Sequence, residues 1–183
     1  MSPIPKRRTP ASGANPPASL LVRVLRENLE GGAWHGPSVR QALRDIDARA
    51  ARWRPGPGRH NVWEIVLHLA YTRHRVIGRL TGRPYAHFPR SLEAPWWPSV
   101  PVLGGDTEWT ADVNLLRELH ERLIETVERL PASRLATRRR GRKDTLAMET
   151  LGVATHDAYH AGQMQLIRRI AEAPHHDRRI RRR

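Results

Sequence analysis

Cysteine is absent from the 183 residues. That excludes disulfides, thiolate nucleophiles, iron–sulfur clusters and zinc ribbons, and it leaves any metal site to His, Asp or Glu. Uncharged apolar runs long enough to cross a bilayer are also missing. The opening stretch, "MSPIPKRRTPASGANPPAS", has no apolar core of the kind that targets a chain for export. The expectation is a soluble, cytoplasmic protein. Lysine is almost absent: 30 of the 32 basic residues are arginine, set against 18 acidic ones, for a net charge of +14. No alternating apolar run bounded by turns suggests a strand, and no internal repeat appears.

The charge excess is unevenly spread. Residues 1–18, 134–144 and 174–183 together hold twelve of the fourteen net positive charges. A solubilising periphery explains that pattern better than a nucleic-acid surface, because no helix-turn-helix or aromatic stacking platform accompanies it. Length favours one domain with a core of its own. Residues 1–18, rich in Pro, Ser and Gly, read as a disordered N-terminal tail, 19–172 as the domain, and 173–183 as a basic C-terminal tail.

Within the domain the apolar period is helical. "SLLVRVLRENLEGG" carries Leu21, Val24, Leu25 and Leu29 on one face and stops at Gly31-Gly32. "WHGPSVRQALRDIDARA" restarts after Pro37, with Ser38 and Gln41 placed as a capping box, and "RWRPGPG" ends it. "NVWEIVLHLAYTRHRVIGRL" is the second long helix, with Asn61 as its cap and Gly82 and Pro84 closing it. A third runs from about Thr107 to Leu130, its buried stripe being Val113, Leu116, Leu123, Val127 and Leu130. A fourth runs from about Thr145 to Glu172. The fold class is all-α, a four-helix bundle. Some 25 residues separate the second and third long helices, which is enough to run the length of a bundle, so those two can be parallel. Phe88, Trp96 and Trp97 give that crossover something to bury, as a lid over the bundle.

The fourth helix contains "ATHDAYHAGQ", with His156 and His160 four residues apart on its interior face. That spacing can grip one ion, although the Glu of the zincin helix is missing, and two half-buried histidines with local partners are the plainer alternative. His68, on the inward face of the second long helix, supplies a third imidazole. Three buried neutral rings without an ion leave nitrogens in want of partners, whereas three ligands with one side open is how catalytic zinc is held. His120 falls on an interior stripe as a fourth ligand or pocket residue. His74 points elsewhere, His35 and His60 suit local hydrogen bonds, and His175 and His176 belong to the tail. Glu64, Asp157, Gln163 and Tyr71 are candidates to support the rings, with helix capping the stronger role for Glu64.

The combination "HNVWEIVLHLAYTRHRVIGRLTG", "DVNLLRELHERL" and "ATHDAYHAGQMQLIRR" resembles the DinB-like (damage-inducible) superfamily of four-helix metalloproteins, over about residues 19–172. The resemblance implies an up-down-down-up bundle, frequent dimers, and a divalent ion, zinc or nickel, on three His that map to His68, His156 and His160. Some similar proteins are thiol-dependent S-transferases or isomerases using a low-molecular-weight thiol, others carry a metal-dependent hydrolase label, and many have no established activity. The expectation is a metal-dependent enzyme acting on a small-molecule substrate. The alternatives are a non-catalytic, metal-stabilised stress-response protein or a nucleic-acid-associated helical protein. The Arg-rich loop before the fourth helix would attract an anionic cosubstrate. No catalytic side chain can be chosen from the sequence.

Overall fold

The computed structural model describes residues 16–83 and 87–173, and both ends of the chain, with His175 and His176, lie outside them. Four long helices dominate: α1 (Pro16–Glu30), α4 (Val62–Thr81), α5 (Asp106–Arg129) and α7 (Leu146–Glu172). Between them sit the short helices α2 (Val39–Ala42), α3 (Ala48–Arg52) and α6 (Ala132–Leu135), and a hairpin of β1 (Leu92–Ala94) and β2 (Trp97–Pro98). The all-α expectation holds. The chain opens the bundle at Pro16, three residues before the expected Ser19.

The expected caps form. Ser38 and Gln41 exchange side-chain and backbone bonds at α2, and Asn61 and Glu64 do the same at α4. Gly82 takes the left-handed conformation that ends α4, with φ of 67°. The single helix expected from "VRQALRDIDARA" is instead two. Asp45 turns left-handed (φ 60°), and the Asp47 carboxylate accepts from Ala50 N at 2.7 Å to start α3. Aspartate competes with helical backbone bonds in a helix interior and satisfies them at a start, so two of them break the run.

Thirteen of the twenty residues of α4 are buried, the pattern of a helix covered on most sides. It packs against α5 and α7, and α1 packs against the same two helices, closing a four-helix ring. Trp63 Nε1 donates to Asp112 Oδ2 at 2.8 Å, and ten residues on Arg73 meets His120, so α4 and α5 run in the same direction. Against α7 the order reverses: Arg73 meets Asp157 and Arg79 meets Glu149. On α5, Leu116, Leu123 and Val127 are buried as expected, and Val113 and Leu130 lie half-buried at the margin.

The parallel pair requires the long crossover, and the crossover is ordered by its own hairpin, which the sequence pattern did not suggest. β1 and β2 are too short to show alternation. Ser99 N donates to Ser91 O at 2.8 Å below the strands, and Arg90 reaches Asp112 at 2.7 Å, pinning the segment to α5. Phe88 is buried against Tyr71, and Trp97 is half-buried over α4. Among the described residues no helix is long and apolar enough to cross a membrane.

Candidate metal centre

Helical spacing and interhelix packing bring His68 from α4 to His156 and His160 from α7. His156 Nε2 lies 3.0 Å from His68 Nε2 and 3.0 Å from His160 Nε2. A tetrahedral ion with nitrogens at about 2.0–2.1 Å places neighbouring nitrogens about 3.3 Å apart, so the spacing suits a shared ion.

The remaining ring nitrogens decide which way the lone pairs point. His68 Nδ1 donates to the Trp96 carbonyl at 2.7 Å, and His160 Nδ1 donates to Gln163 Oε1 at 2.7 Å. A neutral ring that carries its proton on Nδ1 presents a bare lone pair at Nε2. Two such lone pairs therefore face His156 Nε2. A proton there can satisfy one of them and leaves the other opposed. A cation satisfies all three. His156 Nδ1 is buried without a partner among the described residues. The rings are also held neutral: burial first, then the neighbouring rings, pushes His156 down to about 3 and His160 to about 4, and burial lowers His68. This group of three can hold a metal ion.

The crossover builds the wall of the site. Trp96 adopts φ of 72°, rare for a bulky residue, at the turn after Pro95, and its carbonyl is the acceptor that orients His68. Such a conformation costs on the order of 1–3 kcal/mol and persists only where the surroundings hold it. Arg75 and Arg79 lie 5.4 Å from the Trp96 ring, and Tyr71 meets it edge-on. Trp97 stacks between His68 (4.2 Å) and His60 (3.5 Å). On the other side, Gln163 Nε2 donates to the Tyr159 hydroxyl at 2.8 Å, leaving the phenolic proton free to point outward. His68 and His160 open onto a cleft of about 620 Å³ between α7, the start of α4 and the loop before it.

Gln163 supports His160 as expected. Glu64 caps α4 and also takes Arg54 and His60, so it does not reach the rings. Tyr71 packs on Phe88 and accepts from Arg75, serving the crossover. Asp157 turns away from the site into the bundle, where its carboxylate meets Arg73 at 2.5 Å, both groups fully buried. His120 lies with that pair. Arg73 donates to its Nδ1 at 3.4 Å, and its Nε2 is 3.9 Å from Glu30. With Glu30 and Glu121 it forms a second group of possible ligand atoms. However, an Nδ1 that accepts from arginine leaves the proton on Nε2, the wrong tautomer for coordination there. His35 bonds Asn28 locally at 2.8 Å, as its position suggested.

Three contributors escaped sequence reasoning: the Trp96 carbonyl, Tyr159, and His60 as part of the cleft wall. Only Tyr159 left a signal, its four-residue spacing to Gln163.

The DinB superfamily model matches residues 34–164, and the chain belongs to that superfamily. No curated protein and no solved structure matches it.

Proposed function

We propose that the protein is a metal-dependent enzyme in which His68, His156 and His160 hold a divalent ion, zinc or nickel, with one side open to a small-molecule substrate. The observation that supports this most directly is the meeting of three Nε2 atoms, two of them with the proton committed to Nδ1. An ion held by these three rings would supply Lewis acidity, lowering the pKa of a bound water or low-molecular-weight thiol. The chain supplies the rest. Trp96 O and Gln163 fix the ring tautomers, the Tyr159 hydroxyl offers a hydrogen bond at the mouth, and Trp97 keeps water from the outer face of His68. A purely structural ion is usually closed by four protein ligands; here three meet beside an open cleft.

Elemental analysis of the untagged protein tests the ligand assignment. One ion per chain is expected in the wild type and none in His156→Ala; an ion retained in the variant overturns it. Chelation should lower stability by about 2.7 kcal/mol where the free ion stood at a hundred times its dissociation constant, as read from the urea midpoint. A panel of thiols with an electrophile separates the two chemistries, since turnover indifferent to thiol concentration eliminates the transferase and favours the hydrolase.

A further inference from the structure

The cleft beside the three rings has a definite chemical character. Along its floor and far wall run Ile65, Leu166, Ile167 and Ile170. Leu166 is 59% exposed and Ile170 45%, large aliphatic side chains left in water on the cleft face of α7. The strip leads away from the candidate metal centre: His160 and Ile170 are ten residues apart on α7, about 15 Å along the axis. Among the described residues no Asp or Glu lines the cleft. The nearby Glu64 is already taken by Arg54 and His60, and Arg59 on the cleft wall has no carboxylate partner among the described residues. Tyr159 adds a hydroxyl that accepts from Gln163 and whose proton has no acceptor among the described residues.

We propose that this cleft binds an amphipathic anion, a small carboxylic acid with an extended aliphatic body. The body lies on Ile65, Leu166, Ile167 and Ile170, and Arg59 and Tyr159 supply the polar complement. An all-polar substrate would leave the aliphatic strip in water. A cationic one would meet Arg59 with no acid to receive it. The proposal deepens the enzymatic reading by naming its substrate class, yet the residues that carry it are separate from the three histidines.

Calorimetric titration of decanoate into the full chain, with acetate and decyltrimethylammonium as controls, tests it. Decanoate should bind at least about a hundredfold more tightly than acetate, given the aliphatic area covered, and the cationic amphiphile should not bind. Leu166→Asp and Arg59→Glu, both on the surface, should each weaken decanoate about tenfold or more, with ion content and melting temperature unchanged. Equal binding of cation and anion, or affinities indifferent to both substitutions, overturns the proposal. So does a Leu166→Asp variant that converts a dimer to a monomer by sedimentation without moving decanoate affinity, because the strip then belongs to a second copy. The same titration on chelated protein separates the two readings. Decanoate binding that still depends on Leu166, in a protein that never held an ion, sinks the metal assignment and leaves the cleft's ligand class standing.

Discussion

Each side of α4 faces buried histidine, from α7 on one side and from α5 on the other, and the two sides use it in opposite ways. On one side, His68 and His160 give their Nδ1 protons to carbonyl oxygens and turn bare Nε2 atoms toward a shared point. On the other, His120 receives Arg73 at Nδ1 and keeps its proton on Nε2, facing Glu30. His120 is fully buried and His156 half-buried, yet both are pushed down to about 3, by burial first and then by neighbouring charged groups. What separates a candidate ligand from a structural ring is the group on the far nitrogen: an acceptor there exposes a lone pair to the centre, and a donor withdraws it.

The arginine side should be the more fragile. Arg73 is fully buried and bonds Asp157, His120 and the Leu69 carbonyl. Arg73→Leu strands a carboxylate that burial already pushes upward and that Arg73 pulls back down. A loss of about 3–5 kcal/mol in urea unfolding is expected, and the paired Arg73→Leu/Asp157→Leu variant should recover much of it, since removing both charges removes the desolvation cost. A single variant within about 1 kcal/mol of wild type would show that the pair contributes no such constraint.

The histidine side should respond through the ion. Gln163→Leu removes the acceptor that commits the His160 proton to Nδ1 and leaves the ring itself in place. Ion affinity is expected to fall about 10–100-fold by competition with a chelating indicator. Unchanged affinity would mean that the tautomer is set without Gln163. Gln41→Leu, which removes an amide whose partner is the Ser38 backbone at the α2 cap, is the control and should leave affinity alone.

How much of this was legible in the chain depends on the distance over which each feature is encoded. The caps at Ser38 and Asn61, the Gly82 stop, and the inward positions of His68, His156 and His160 follow from spacings of three and four residues, and all appear. Gln163, three residues beyond His160 on the same helix, was legible in the same way, whereas the partner of His68 is set by tertiary packing. Trp96 serves through a backbone carbonyl, which no side-chain pattern announces, and its left-handed φ arises at a Pro-Trp turn where glycine would be expected. His120 was as good a candidate as His68 by periodicity alone. Only the position of Arg73, one turn beyond Leu69 on the neighbouring helix, tells them apart. The split of the α2–α3 segment was available in Asp45 and Asp47, whose local bonding outweighed the apolar period around them.

Acid should reveal that both sides share one constraint. In metal-free protein His120 and His156, pushed down to about 3, and His160, pushed down to about 4, stay neutral in the fold while the unfolded chain takes up protons near 6.5. The unfolded state then binds more protons, so stability is full above that value and falls as pH drops through the window from 6.5 toward 3–4. Each ring contributes a slope approaching about 1.4 kcal/mol per pH unit. Urea midpoints between pH 7 and 5, above the range where most carboxylates titrate, isolate this term. His120→Asn should remove about one third of the slope from these three rings while leaving ion binding intact at pH 7. A flat profile across that interval would show that the rings gain protons inside the fold, and the argument from opposed lone pairs would fail with it.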